Sequence, residues 1–243
     1  VRLVAALGHD PANAEIRETL AGETGLASTL LPRDMASDLS TIWLDGAGEN
    51  VIASSNFCAH SVTPADARAE LSDLTPGDWL VLQGNLTLEA TQAAITIAKA
   101  ARAFVLLNTA PMQGWMAGLL AQVDVLVANE VEALQLTGTA DVSLPAILAA
   151  GAGIVIVTRG ARGASLLGPE GAIDRPAPRV EAVDTAGAGD MFVGTFAAGL
   201  AMKLPILAAL DLAVAAASVS VTRRGTTSSF PTRAELKALA ARG

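Results

Sequence analysis

The sequence predicts an α/β protein with a mainly parallel central sheet and helices on both faces. Short apolar runs rich in β-formers alternate with longer stretches of helical character along its 243 residues. Parallel strands need crossover connections, and those are usually helices. Four runs, Trp79–Leu82, Phe104–Leu107, Val123–Ala128 and Ile154–Val157, are apolar strand candidates of the kind covered on both faces.

The elements follow in order. Arg2–Leu7 reads as a buried strand, and a helix near 13–23 stops at Gly25. Thr41–Leu44 and Asn50–Ala53 flank the turn Asp45-Gly-Ala-Gly-Glu49 and read as an antiparallel hairpin. Thr63-Pro64-Ala65-Asp66 opens a helix, with an N-cap threonine and proline at the first helical position. An alanine-rich helix over about 88–102 separates the first two central strands, and a short helix after Pro111 separates the next two. The most hydrophobic stretch, Met191 to Val221, is broken by Lys203, Pro205 and Asp211. It falls short of the roughly 20 uninterrupted apolar residues of a membrane span and reads as two buried helices. Thr232-Arg-Ala-Glu235 is a capping box opening a last helix. No repeat, low-complexity tract or linker divides the chain, so 1–243 reads as one domain.

Composition narrows the function. A chain 51% hydrophobic and 16% charged is not disordered. A formal net charge of -8 argues against a general binder of nucleic acid or anionic membranes. A nucleotide stays open, because a local nest of backbone N–H groups can hold phosphate on an acidic protein. One cysteine, Cys58, and two histidines, His9 and His60, exclude a disulfide framework or thiolate zinc site within one chain. That usage suits a reducing cytoplasm. The apolar start, Val1 to Gly8, is too short for a signal-peptide core with a cleavage site.

The strongest local signal is Val183-Asp184-Thr185-Ala186-Gly187-Ala188-Gly189-Asp190-Met191-Phe192. A strand candidate ending near Val183 runs into a glycine-rich turn, and a helix follows from about Ala188. Converging N–H groups and the positive end of a helix dipole make an anion hole. Asp190 has a plain reading as a dipole-complementing first-turn acid. It also has a chemical one: phosphoryl transfer needs an anion hole for the moving group and a carboxylate for the acceptor's proton. A dinucleotide fingerprint fails, because Phe192, Val51 and Ile156 stand where the third glycine would follow Gly187-Ala-Gly189, Gly46-Ala-Gly48 and Gly151-Ala-Gly153. A P-loop fails too, because none of Lys99, Lys203 and Lys237 follows a glycine.

Asp184-Thr-Ala-Gly-Ala-Gly-Asp190 resembles the second signature of the ribokinase (PfkB) family of carbohydrate kinases, Asp-Thr-x-Gly-Ala-Gly-Asp. Leu107-Asn-Thr-Ala-Pro111 resembles the family's Asn-Pro-Ala-Pro segment, and Asn129-Glu-Val-Glu132 its Asn-x-x-Glu motif. Val157-Thr-Arg-Gly-Ala-Arg-Gly163 resembles its Thr-x-Gly-x-x-Gly nucleotide turn. Val221-Thr-Arg-Arg-Gly225 and Ser229-Phe-Pro231 resemble the segment closing the adenine and monovalent-cation sites, and the turn 45–50 resembles ribokinases specifically. All occur in family order from end to end of the chain.

The resemblance implies a ribokinase-like three-layer sandwich that transfers the γ-phosphoryl of ATP to a primary hydroxyl of a small sugar or nucleoside. Asp190 would be the base and the backbone of Gly187, Ala188 and Gly189 the anion hole. Asn129 and Glu132 would hold Mg2+, largely through water; their plain readings are a helix cap and a solvated first-turn acid. Thr158, Gly160 and Gly163 would contact nucleotide phosphates, against an ordinary hairpin turn. Asp184, the carbonyls of Ala186, Ser220 and Gly225 and the Ser229 hydroxyl would bind a monovalent cation such as K+, an oxygen set that suits a hard ion. Arg223 and Arg224 read as solvated rather than catalytic.

The acceptor half departs from the pattern. Relatives begin with a strand carrying a sugar-binding aspartate, then lid strands, then a Gly-Gly-x-x-x-Asn helix start. Val1 aligns with the strand after these, and Gly8-His9-Asp10 is what remains of a Val-x-x-Gly-x-Asp motif. The resemblance thus implies an incomplete N-terminal part: a fragment or mis-assigned start is the favoured expectation, against a nucleotide binder without catalysis or strands supplied by a separate element. Asn85 is the remaining substrate-side candidate, where ribokinases tend to have glutamate. An amide both donates and accepts while a carboxylate only accepts, which argues against ribose. Relatives often dimerise through lid strands, so a homodimer stands as one expectation for assembly.

Overall fold

The computed structural model describes residues 1–44, 50–138, 142–169 and 171–241. A parallel pair, β1 (Arg2–Leu7) and β2 (Ala27–Pro32), is joined by α1 (Ala12–Gly22). The expected hairpin follows as antiparallel β3 (Ser40–Leu44) and β4 (Asn50–Ser54); its turn, 45–49, lies outside the described residues. Two short helices come next, α2 (Phe57–His60) and α3 (Pro64–Glu70). Thr63 caps α3 in a reciprocal box with Asp66, as its sequence predicts.

The four apolar runs become adjacent parallel strands. β5 (Trp79–Leu82) leads through α4 (Leu88–Ala100) to β6 (Phe104–Asn108). A 3₁₀ segment, Met116–Gln122, stands where a helix is expected and leads to β7 (Val125–Asn129). Then α5 (Glu130–Thr137) and α6 (Leu144–Ala149) cross over to β8 (Ile154–Thr158). β9 (Ala164–Gly168) and β10 (Gly171–Arg175) return antiparallel, giving the order β10-β9-β8-β7-β6-β5. The chain closes with α7 (Ala188–Ala201), α8 (Ile206–Ser220) and α9 (Arg233–Ala240).

Strand alternation feeds two cores. Val105, Leu107, Leu126, Ala128, Val155 and Val157 face α4, α5 and α6, joining Ile95, Ala133 and Ile147. Leu106, Val125, Val127 and Ile156 face α7 and α8, joining Phe192, Phe196 and Leu210. Both faces of the sheet are therefore covered, and the layers are helix, sheet, helix. No helix among the described residues is long and apolar enough to cross a membrane.

Two expectations are corrected. No strand ends near Val183: β10 stops at Arg175 and residues 176–187 are irregular. Pro176 and Pro178 offer no N–H to a ladder, so the strand cannot extend. Nor is β1 a buried strand. Arg2 and Leu3 are exposed and only Leu7 is buried, because β1 pairs with β2 in a separate two-stranded sheet and α1 buries no residue.

Candidate active site

Parallel strands end at one edge, so β5, β6, β7 and β8 deliver Gln83, Thr109, Asn129 and Thr158 side by side. Ligands of open α/β sheets bind outside such carboxyl ends. The start of α7 comes to the same edge: Gln83 Nε2 donates to Asp190 Oδ1 at 3.4 Å across 107 residues of chain.

The bend before α7 is held from below. Asp184 accepts the N–H groups of Ala186 and Gly225, each at 2.9 Å. These two bonds, with the Arg224 charge, hold its carboxyl below the usual range. Val183 and Asp184 N–H both reach the Val221 carbonyl, at 2.7 and 3.2 Å. Gly187 takes a left-handed φ of 78°, and a Cβ there would meet the Phe230 ring at 3.1 Å and Thr226 Cα at 3.3 Å. Only glycine fits without displacing the 225–230 loop. Above it the N–H groups of Gly189 and Asp190 belong to the first turn, where no intrahelical acceptor exists. Ala188 N–H reaches Thr185 O at 3.3 Å, and the ladder begins with Met191 to Gly187 O at 2.9 Å. A Cβ on Gly189 would meet nothing within 4 Å, so the helix start opens outward.

Asp190 is exposed by surface area, yet protein crowds its carboxyl. Lost hydration pushes its pKa above the ordinary carboxylate value, and the Gln83 hydrogen bond opposes that shift. A base with a raised pKa holds a proton more strongly once it has taken it.

At the end of β7, Asn129 Oδ1 accepts the Glu132 N–H and Glu132 Oε2 accepts the Asn129 N–H, both at 2.9 Å. The helix-cap reading of Asn129 is therefore the observed geometry, whereas Glu132 is not a solvated acid. It is buried, and Thr109 Oγ1 donates to its Oε2 at 2.7 Å. Two hydrogen bonds occupy Oε2, so Oε1 is the oxygen that would face magnesium or its water. Among the described residues no three His, Cys, Asp or Glu side chains gather for a metal.

Thr158 closes β8 in register with Asn129. The turn Gly160–Arg162 is a 3₁₀ segment, closed by Arg159 N–H to Gly163 O at 2.7 Å. Space beside Gly160 is open. Gly163 is structural: with φ at 88°, a Cβ would lie 1.9 Å from the Arg175 carbonyl. At the end of β5, Gly84 is pinned likewise, since a Cβ would lie 1.8 Å from the Pro111 carbonyl. Its N–H donates to Ala110 O at 3.0 Å, and Gln113 Nε2 donates to its carbonyl at 3.1 Å. Asn85 beside it is half-buried.

Hydrogen bonds gather three cation candidates, Asp184, Ala186 and Gly225. Ser220 carbonyl accepts the Arg223 N–H at 3.0 Å, and the buried Ser229 hydroxyl donates to Thr226 O at 2.7 Å. The donors are all oxygens with lone pairs to spare, a set that fits a hard monovalent ion. Arg223, expected to be solvated, pairs with Glu235 at 2.5 Å, which pulls the Glu235 carboxyl down to about 2.

Gln83 and Thr109 are functional candidates that sequence reasoning missed. The signal available was position: each lies just past an apolar strand that ends at the shared edge. A broader hollow of about 670 Å³ lies elsewhere, at the carboxyl ends of β1 and β2. Two of its charged groups are already engaged, with Asp10 accepting from the Ala12 and Ser37 amides and Arg33 paired with Asp66.

Comparison with known proteins places nearly the whole chain in a family. The model of the pfkB family of carbohydrate kinases matches residues 1–233. A deoxyribokinase of Salmonella typhi is 34% identical over 204 residues, covering 81% of this chain and 67% of that protein. A ribokinase of Haemophilus influenzae is 30% identical over 246 residues, covering 97% and 79%. The crystal structure of a ribokinase from Thermotoga maritima superposes with a TM-score of 0.87 at 28% identity, covering 99% of this chain and 81% of that one.

Proposed function

The chain belongs to the pfkB family of carbohydrate kinases, phosphotransferases with an alcohol as acceptor, and from that premise we propose that it phosphorylates a small sugar or nucleoside with ATP. Asp190 takes the proton of the attacking hydroxyl. The N–H groups of Gly187 and Gly189 stabilise charge on the phosphoryl group in flight, while that of Ala188 is shared with the Thr185 carbonyl. Asn129 and Glu132 orient the nucleotide phosphates and, through water, the magnesium that neutralises them. Thr158 and Gly160 flank the phosphates from β8, with Gly163 fixing the turn's shape. Asp184, Ala186, Ser220, Gly225 and Ser229 would hold a monovalent cation, and Asn85 meets the acceptor.

One observation carries the reading: the Asp190 carboxyl, its pKa raised by lost hydration, sits in the first turn of α7 beside Gly189, where a side chain would meet open space. The test is ADP release from ATP and Mg2+ over a panel of ribose, 2-deoxyribose and nucleosides. Asp190→Asn is expected to lower kcat by about 10²–10⁴ while ATP still binds. Undiminished turnover in that variant would remove Asp190 from its role. ATP binding without turnover on any acceptor would point to a nucleotide-binding protein that lacks catalysis.

A further inference from the structure

Resting on that reading and deepening it, we propose that Gln83 is the positioning residue for Asp190, its amide holding Oδ1 so that Oδ2 is left to receive the acceptor's proton. The donor identity follows from chemistry: a carboxylate can only accept, so the Gln83 atom facing it is the NH2 group. Gln83 is the polar side chain acting on Asp190 among the described residues, and no charged side chain there perturbs it. Of the two carboxylate oxygens, Oδ1 alone has a side-chain partner among the described residues.

The amide is well placed for the task because its neighbour cannot move. Gly84 lies against the Pro111 carbonyl with no room for a Cβ, gives its N–H to Ala110 and receives Gln113 on its carbonyl. Thr109, one residue before Ala110, donates to the buried Glu132 and gives its N–H to Val127. The glutamine thus stands on a loop fastened to β6 and β7, while Asp190 stands on the first turn of a helix. At 3.4 Å the bond is long, as catalytic hydrogen bonds often are before substrate tightens them. In the reaction the acceptor oxygen attacks the γ-phosphorus, its proton passes to Asp190 Oδ2, and the β–γ bridging oxygen departs on ADP.

The test compares Gln83→Ala, the isosteric Gln83→Glu and Asp190→Asn. Gln83→Ala is expected to lower kcat about ten-fold, as loss of one hydrogen bond to a charged group does, with KM for ATP unchanged. The Gln83 bond favours the charged carboxylate, so its loss moves the acid limb of the pH–rate profile to higher pH. Gln83→Glu moves it further, by placing a second carboxylate beside the first. The same order is expected without turnover, in a ¹³C-NMR titration of carboxyl-labelled aspartates with Asp190 identified by its absence in Asp190→Asn. Wild-type kcat and an unmoved Asp190 titration in both Gln83 variants, with Asp190→Asn inactive, would overturn the positioning role and leave the kinase reading intact. Turnover surviving in Asp190→Asn would overturn the base assignment and the role of Gln83 with it. A melting curve identifies any loss of folding in Gln83→Ala, and Gln83→Glu, which keeps the side chain's shape, then decides.

Discussion

β6 and β1 are both short parallel strands of mostly apolar sequence, yet four of the five residues of β6 are buried and only one of the six in β1. The difference lies in what covers them. β6 has α4 on one face and the α7–α8 layer on the other. β1 pairs with β2 alone, and among the described residues neither apolar core includes one from β1 to β4. Polar ties hold this part instead: Arg2 to Asp73 and Arg33 to Asp66, each at 2.7 Å, and Arg233 to the Thr24 carbonyl at 2.9 Å. The candidate phosphoryl-transfer residues ride on the doubly covered sheet or on the start of α7, one of the helices that cover it. Before residue 60 the buried apolar residues are few, Leu7 and Cys58 among the described residues, and the ion pairs there are partly open to water and salt.

That contrast can be broken most directly with Leu107→Ala against Leu3→Ala. Leu107 is fully buried and its truncation is expected to cost about 2–5 kcal/mol, cavity included. Leu3, 36% exposed, should cost less than about 1 kcal/mol. Equal losses in urea titrations would mean that the two parts share one core. Next in size is Thr109→Val, which leaves the buried Glu132 carboxylate short of a donor, at about 1–3 kcal/mol. A neutral outcome in the same titration would show Glu132 satisfied without Thr109. Arg33→Ala should cost no more than about 1 kcal/mol, and less at high salt, since a partly exposed pair is screened. A loss independent of ionic strength would place Arg33 among the packed residues.

The smallest effect concerns acid. Glu235 titrates near 2 in the fold against an ordinary 4.5. A depressed carboxyl contributes its stability in full above the unfolded value, and that contribution fades as pH falls from about 4.5 towards 2. Arg223→Ala should flatten this part of the melting-temperature profile. An unchanged slope would assign it to other carboxylates.

What was legible follows from which forces act locally. Val105, Leu126 and Val155 announce covered strands because burial on both faces demands continuous apolar sequence. The bend 184–190 is legible because the left-handed turn at Gly187 tolerates little else. The strand expected to end near Val183 does not form, and Pro176 and Pro178 withdraw donors from any ladder leading to it. β1 was misjudged because an apolar run states what a strand can bury, not whether anything arrives to bury it. The plain alternative for Glu132, a solvated acid, fails because its partner, Thr109, is 23 residues away and joins it only through the pairing of β6 and β7. Gln83 carries no signature of its own; only the close approach of α7 to β5 gives it a partner.

The crowding at Gly84 also bears on how such a surface can diversify. Between Gln83 and Asn85 stands a residue to which no atom can be added, because the Pro111 carbonyl already occupies the space. Any change of side chain at this end of β5 therefore has two addresses, 83 and 85, and the position between them acts as a fixed fulcrum.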